Sequence, residues 1–218
     1  MGSSRTGTGS GAGAALAAQA RRVGGVVLAG PVVAGGAVAL AGWGGAVAWA
    51  PTQAMTLVSW LTQVFVVGVG ACAAVALTGD QLVELHESTP TGFRAAQLLR
   101  AALVTAAGVA GAVLMFGPLH ALGVWPRDAG WISVASPAGA VVILAVVALL
   151  AAAYARTLPA TVLAVVAAWM ALELLWDPYV IPLLQQRGIP LAATLPALVA
   201  IWRRLGHPER NIGTAATA

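Results

Sequence analysis

The chain has 218 residues, of which 60% are hydrophobic and only 8% charged, and its mean hydropathy is +0.89. A soluble domain carries roughly a quarter charged residues, so this composition excludes one and points to a membrane protein with several spans. The formal net charge of +4 rests on eleven basic residues, all arginine; they lie scattered between apolar runs, which suits membrane-flanking loops and not a nucleic-acid surface.

Two absences carry chemical weight. Without lysine there is no phosphate loop of the GxxxxGK[ST] type and no Schiff base to a carbonyl cofactor. The single cysteine, Cys72, excludes an internal disulfide and any CxxC redox or zinc motif. No catalytic residue, metal ligand or cofactor of this chain's own is expected, and the chain by itself is not read as an enzyme.

The expected fold is an all-α, polytopic membrane helical bundle with about six transmembrane helices and both termini cytoplasmic. Residues 1–22 are Gly-, Ser- and Ala-rich, flexible and weakly amphipathic, and end at Arg21 and Arg22. They are not a cleavable signal, because the charged pair follows the small-residue stretch. The transmembrane domain is expected over 23–204, with a cytoplasmic tail at 205–218. The first span runs from Val23 to Trp49, with Pro51 marking the turn. The second runs from Thr52 to Leu77. Thr89 and Pro90 cap the third, which ends near Leu122. The fourth covers Pro137 to Tyr154 and the fifth Pro159 to Trp176. The sixth covers Ile189 to Trp202, short for a span of ~20 residues. Before it, "DPYVIPLLQQRGIP" is apolar in the middle and broken by Pro178, Pro182 and Pro190, which reads as a re-entrant segment.

Arginine placement orients these spans. With the N-terminus inside, nine arginines (Arg5, Arg21, Arg22, Arg94, Arg100, Arg156, Arg203, Arg204 and Arg210) are cytoplasmic, against Arg127 and Arg187 outside. Trp49, Trp125, Trp131 and Trp176 fall where an outer aromatic belt sits. Ala37, Ala41 and Gly45 in the first span, and Ala107 and Gly111 in the third, have the four-residue spacing that lets helix backbones approach.

The polar segment "ELHESTP" opens like a zinc-protease helix. That chemistry needs HExxH, with two histidines one helical turn apart. Pro90 stands at the second position, and the other histidines, His120 and His207, lie elsewhere. A cytoplasmic element at 80–88 fits better: Asp80 caps it, Leu82, Val83 and Leu85 form an apolar side, and Glu84 and Glu87 a polar one, with His86 between them. An amphipathic helix of this kind docks in a groove on a partner. Within the spans the one carboxylate is Glu173, about one turn from the outer end beside Trp176 and Asp177, with Arg187 a candidate ion-pair partner.

This arrangement of an interfacial N-terminus, six spans, a cytoplasmic helix between spans two and three, and a broken outer segment before the last span resembles the permease subunits of exporter-type ABC transporters. The string "ELHESTPTGFRAAQLLRAAL" is similar to the Glu-rich, STP-then-arginine linker of such permeases from high-GC bacteria. The chain is shorter than most of that family. The resemblance implies a multi-pass protein of the bacterial cell membrane, in contact with lipid, that moves an amphipathic or hydrophobic substrate outward. It implies a second permease subunit, alike or different, and a cytoplasmic ATPase that holds ATP and Mg. Leu82, Val83, Glu84, Leu85, His86 and Glu87 would form the coupling helix, "VIPLL" at 180–184 would help close the outer side, and Glu173, Trp176 and Pro182 would belong to the pathway or gate. The other reading is a structural or assembly subunit of a larger membrane complex.

Overall fold

A computed structural model of the full chain describes residues 23–78 and 92–206, together with a few single positions ahead of residue 23. The element at 80–88, with Leu82, Val83, Glu84, Leu85, His86 and Glu87, lies outside the described residues, as do Thr89, Pro90 and the tail from residue 207.

Among the described residues the regular structure is all helical, with no strand. The long helices are α1 (Gly25–Ala48), α2 (Pro51–Thr78), α3 (Gly92–Ala121), α4 (Ala135–Ala155), α5 (Leu158–Met170) and α6 (Leu183–Leu205). A short 3-10 turn (Trp131–Val134) leads into α4, and a π turn (Ala171–Trp176) extends α5. Prolines sit where the backbone tolerates them: Pro51 opens α2, and Pro159 lies in the first turn of α5, where its missing N–H is not needed. Arg156 takes the left-handed conformation that ends α4. Five segments are long and apolar enough to cross a membrane: Gly25–Ala48, Pro51–Thr78, Phe93–Ala121, Trp131–Ala155 and Leu158–Trp176.

The sixth span differs from the sequence expectation. The stretch 183–190 is not a separate broken segment; it is the first third of one helix of 23 residues, Leu183–Leu205. At ~1.5 Å per residue that is about 34 Å, the length of a span, although the helix is less apolar than the five segments above. Pro182 stands just before the first helical residue, and Pro190 and Pro196 are accommodated within the helix. Only 177–182 forms the non-helical turn from α5. The helix also carries the bundle past residue 204, for Leu205 is helical and buried.

α2 and α4 are the central helices. α2 packs against α1, α3, α4 and α5, while α4 packs against α2, α3, α5 and α6. Phe65, Val104, Met115, Phe116, Leu119, Leu144 and Val165 fill the interior. Valines, leucines and tryptophans such as Val26, Leu40, Trp60, Leu163 and Trp202 remain on the outside, a large apolar surface suited to lipid.

α1 and α3 approach to backbone contact. A Cβ on Gly35 would overlap the carbonyl of Gly111, and one on Gly111 would overlap that of Pro31. Gly111 was expected in such a face, but its partner row is Pro31 and Gly35. Ala37 and Ala41 face outward, because a helix rich in Ala and Gly offers several small-residue rows and packing selects one. The tryptophan belt is also only partial. Trp49 and Trp131 are exposed, but Trp125 is buried edge-on against Phe116.

Candidate functional site

Two helix crossings separate each of the turns 49–50, 122–130 and 177–182 from the next, which puts all three at one end of the bundle, opposite the end that holds Thr78, Gly92 and the turn 156–157. At the first end a cavity of about 570 Å³ runs into the helices. Its walls carry Ser59, Thr62, Gln63, Glu173, Asp177 and Arg187, a polar set unlike the rest of the interior.

The local chain geometry places each group. Trp169, Glu173 and Asp177 recur every fourth residue, so they follow one side of α5 and its extension. The π turn is closed by the Asp177 N–H donating to the Leu172 carbonyl at 2.8 Å, an i to i+5 bond of a kind often found at functional sites. The Pro182 carbonyl then accepts from the N–H groups of Gln185 (2.9 Å) and Gln186 (2.8 Å), which starts α6. Gln186 and Arg187 are thereby turned inward, both buried. The stem of Arg187 lies on Gly139 of α4, where a Cβ would stand 3.3 Å from it.

Arg187 is the hub. Its Nη1 and Nη2 donate to Oδ1 and Oδ2 of Asp177 at 2.7 and 2.6 Å, a bidentate pair. Its Nε donates to the Ser136 carbonyl at 3.0 Å, and Nη2 lies 3.4 Å from the Ser136 hydroxyl. Glu173 stands further off, with Oε1 3.8 Å from Nη2. The side chains of Arg187, Asp177 and Glu173 are 6%, 12% and 19% exposed. Glu173 Oε2 accepts from Gln63 Nε2 at 2.6 Å, and Gln63 Oε1 accepts from Trp169 Nε1 at 3.0 Å. Trp176 Nε1 donates to the Gln186 carbonyl at 2.8 Å, bracing the turn.

The site lies below the bundle's end. Val165 and Leu144, the latter near the middle of α4, pack around Gly70. Glu173 is eight residues past Val165, roughly 12 Å along the axis, against a hydrocarbon half-thickness of ~15 Å. An ionised group at that depth is costly unless paired or reached by water; here Arg187 and Asp177 pair with each other, and the cavity reaches Glu173.

Of the residues named from sequence for the pathway, Glu173 lines the cavity, Trp176 braces its wall, and Pro182 is exposed outside it as the start of α6. The Glu173–Arg187 proximity holds, but Asp177 is the closer partner. Sequence reasoning passed over Gln63, Trp169 and Asp177 as site residues. The four-residue spacing of Trp169, Glu173 and Asp177 was a readable signal, and so was an amide in the middle of an apolar span at Gln63.

No family model, curated protein or solved structure matches this chain. Among the described residues, no group of three His, Cys, Asp or Glu side chains is placed to hold a metal ion. A second groove, about 470 Å³ between α1 and α3, is lined by Gly36, Leu40, Trp43, Leu114 and other apolar residues, with no charged side chain.

At the same end of the bundle, His120 and Asp128 are hydrogen-bonded, and Asp128 Oδ1 accepts from the Gly130 N–H at 2.8 Å. The His120 bond holds the Asp128 carboxyl below its ordinary value, with the Gly130 N–H adding to it. His120 also stacks on Phe116, against which Trp125 and Trp131 pack edge-on. This cluster fixes the loop that forms the cavity's rim.

Proposed function

We propose that the chain is the membrane subunit of a transporter, specifically a permease of the exporter-type ABC class whose ATP is hydrolysed on a separate chain. The observation that carries the transport part is the polar cavity entering an otherwise apolar bundle, because buried charge in a membrane helix bundle marks a substrate or ion path. Arginine placement supports the orientation. Arg94, Arg100, Arg156, Arg203 and Arg204 gather at the end opposite the cavity, and the positive-inside rule makes that end cytoplasmic. In this reading the cavity opens outward in the bacterial cell membrane. The connection between α2 and α3, with Leu82 to Glu87, then faces the cytoplasm, where an ATPase binds.

The test searches the adjacent reading frames for an ATPase chain and co-expresses it with this one, followed by purification in nanodiscs. The wild type is expected to hold the ATPase and change its turnover. Leu82→Asp with Leu85→Asp is expected to release it while the bundle's melting temperature stays put. Retention of the ATPase by that double variant would sink the docking assignment. Failure of the wild type to hold any ATPase would favour the assembly-subunit reading instead.

A further inference from the structure

We propose that the cavity binds an organic primary ammonium ion, with Glu173 as its counter-charge. The inference rests on the transport reading for its biological meaning, since it names the class of substrate, but the binding itself needs only this chain.

The charge balance points to a cation. Arg187 is bound on both terminal nitrogens by Asp177 and on Nε by the Ser136 carbonyl, so its charge is matched. Glu173 is a second carboxylate in the same site. Its Oε2 accepts from the neutral Gln63 amide, its Oε1 stays 3.8 Å from Arg187, beyond hydrogen-bond distance, and the Asp177 carboxyl beside it is of like charge. The neighbouring helices add no further charge: α2 brings Ser59, Thr62 and Gln63, and α4 brings Ser136. Arg127, the remaining cation on the lining, is exposed at the rim, where water and salt screen it.

The hydrogen-bonding character agrees. The Thr62 hydroxyl donates to the Val58 carbonyl at 2.7 Å, which leaves its oxygen as an acceptor, and Ser59, a second hydroxyl residue, lines the same cavity. An ammonium group has three N–H donors and no acceptor, the complement of one carboxylate oxygen and two hydroxyl oxygens. Trp125, Ile181 and Leu183 supply apolar wall for the hydrocarbon part, the usual mix of apolar lining and few polar anchors in a small-molecule site.

The experiment titrates phenethylammonium into the full-length protein in lipid nanodiscs, without any ATPase, and reads heat and tryptophan fluorescence. Saturable binding is expected, weakened at least tenfold by Glu173→Gln, in which the new amide can still accept from Gln63. Asp177→Asn is expected to weaken it too, because Arg187 is then free to take Glu173. Thr62→Val, expected to weaken binding severalfold, carries the test if Glu173→Gln does not fold. Absence of saturable binding to the wild type, equal affinity in the folded variants, or tighter binding of 3-phenylpropionate would each overturn the proposal. Loss of ATPase association with ammonium binding intact would overturn the transport reading alone.

Discussion

The guanidinium of Arg187 and the carboxylate of Asp177 close across the turn between α5 and α6 through two hydrogen bonds of 2.7 and 2.6 Å. Because Arg187 also holds the Ser136 carbonyl, one side chain ties α5, α6 and α4 together at the mouth of the cavity. The turn itself contributes little apolar burial: Pro178, Tyr179, Ile181 and Pro182 are all exposed. The start of α6 is therefore held mainly by this polar network.

Arg187 and Asp177 should not be equivalent when removed. Truncating one partner of a buried ion pair costs about 3–5 kcal/mol, because the other charge is stranded. Arg187→Met strands two carboxylates and is expected to reach that range. Asp177→Asn leaves the guanidinium with Glu173, 3.8 Å away, and is expected to cost less than half as much. Apparent melting temperatures in one detergent rank the two variants, and the reverse order would refute Glu173 as the reserve partner.

Gly35 and Gly111 should resist any side chain. Alanine at either position would drive a methyl into a backbone carbonyl of the facing helix. α1 must then move away from α3, at a cost of about 1–3 kcal/mol. Gly36→Ala is the control, since its Cβ would meet only Leu114 at 3.6 Å, an ordinary contact. Thermal unfolding should separate the first two from the third.

Gln63 bridges Glu173 and Trp169, and Gln63→Leu removes both bonds at once. Stranding a buried polar partner costs about 1–3 kcal/mol. The Trp169 indole would lose its acceptor, so a shift in tryptophan emission should accompany the loss of stability. An unchanged spectrum and melting point would mean that the bridge is not formed in the membrane.

The loop at the rim should depend on pH through Asp128. Its carboxyl is held below 3.8, first by the His120 hydrogen bond. A carboxyl lowered on folding stabilises the structure fully above its unfolded value, and that stability is lost as pH falls through the lowered folded value. Protease cutting in 122–130 is therefore expected to stay slow down to about pH 4 and to quicken below it. In His120→Gln the onset should move to higher pH. Identical profiles for the two proteins would remove the pair from any role in holding the loop.

Much of the bundle is legible in the sequence alone. Long apolar runs interrupted by Pro51, by "TGD" and by Pro159 mark helix ends to within a few residues, because charge and proline are expensive in a lipid span and cheap outside it. The last span was misjudged for a related reason. Pro178, Pro182 and Pro190 all read as breaks in a linear scan, whereas Pro178 and Pro182 lie outside the helix and Pro190 is accommodated within it.

Length, composition and arginine placement determined that this is a helical membrane protein, and Glu173 was conspicuous as a carboxylate in an apolar run. Only the tertiary structure decided which faces meet and which polar groups share a site. Helices built from Ala, Val, Leu and Gly are apolar on every side, so their sequence carries little record of which side turns inward. The bond from Gln63 to Glu173 spans 110 positions; it exists because α2 and α5 pack side by side, a contact chosen by the close fit of Gly70 against Val165. A buried charge must find its partner in space, and for Arg187 that partner is Asp177, across a turn whose path was not written in the order of the residues.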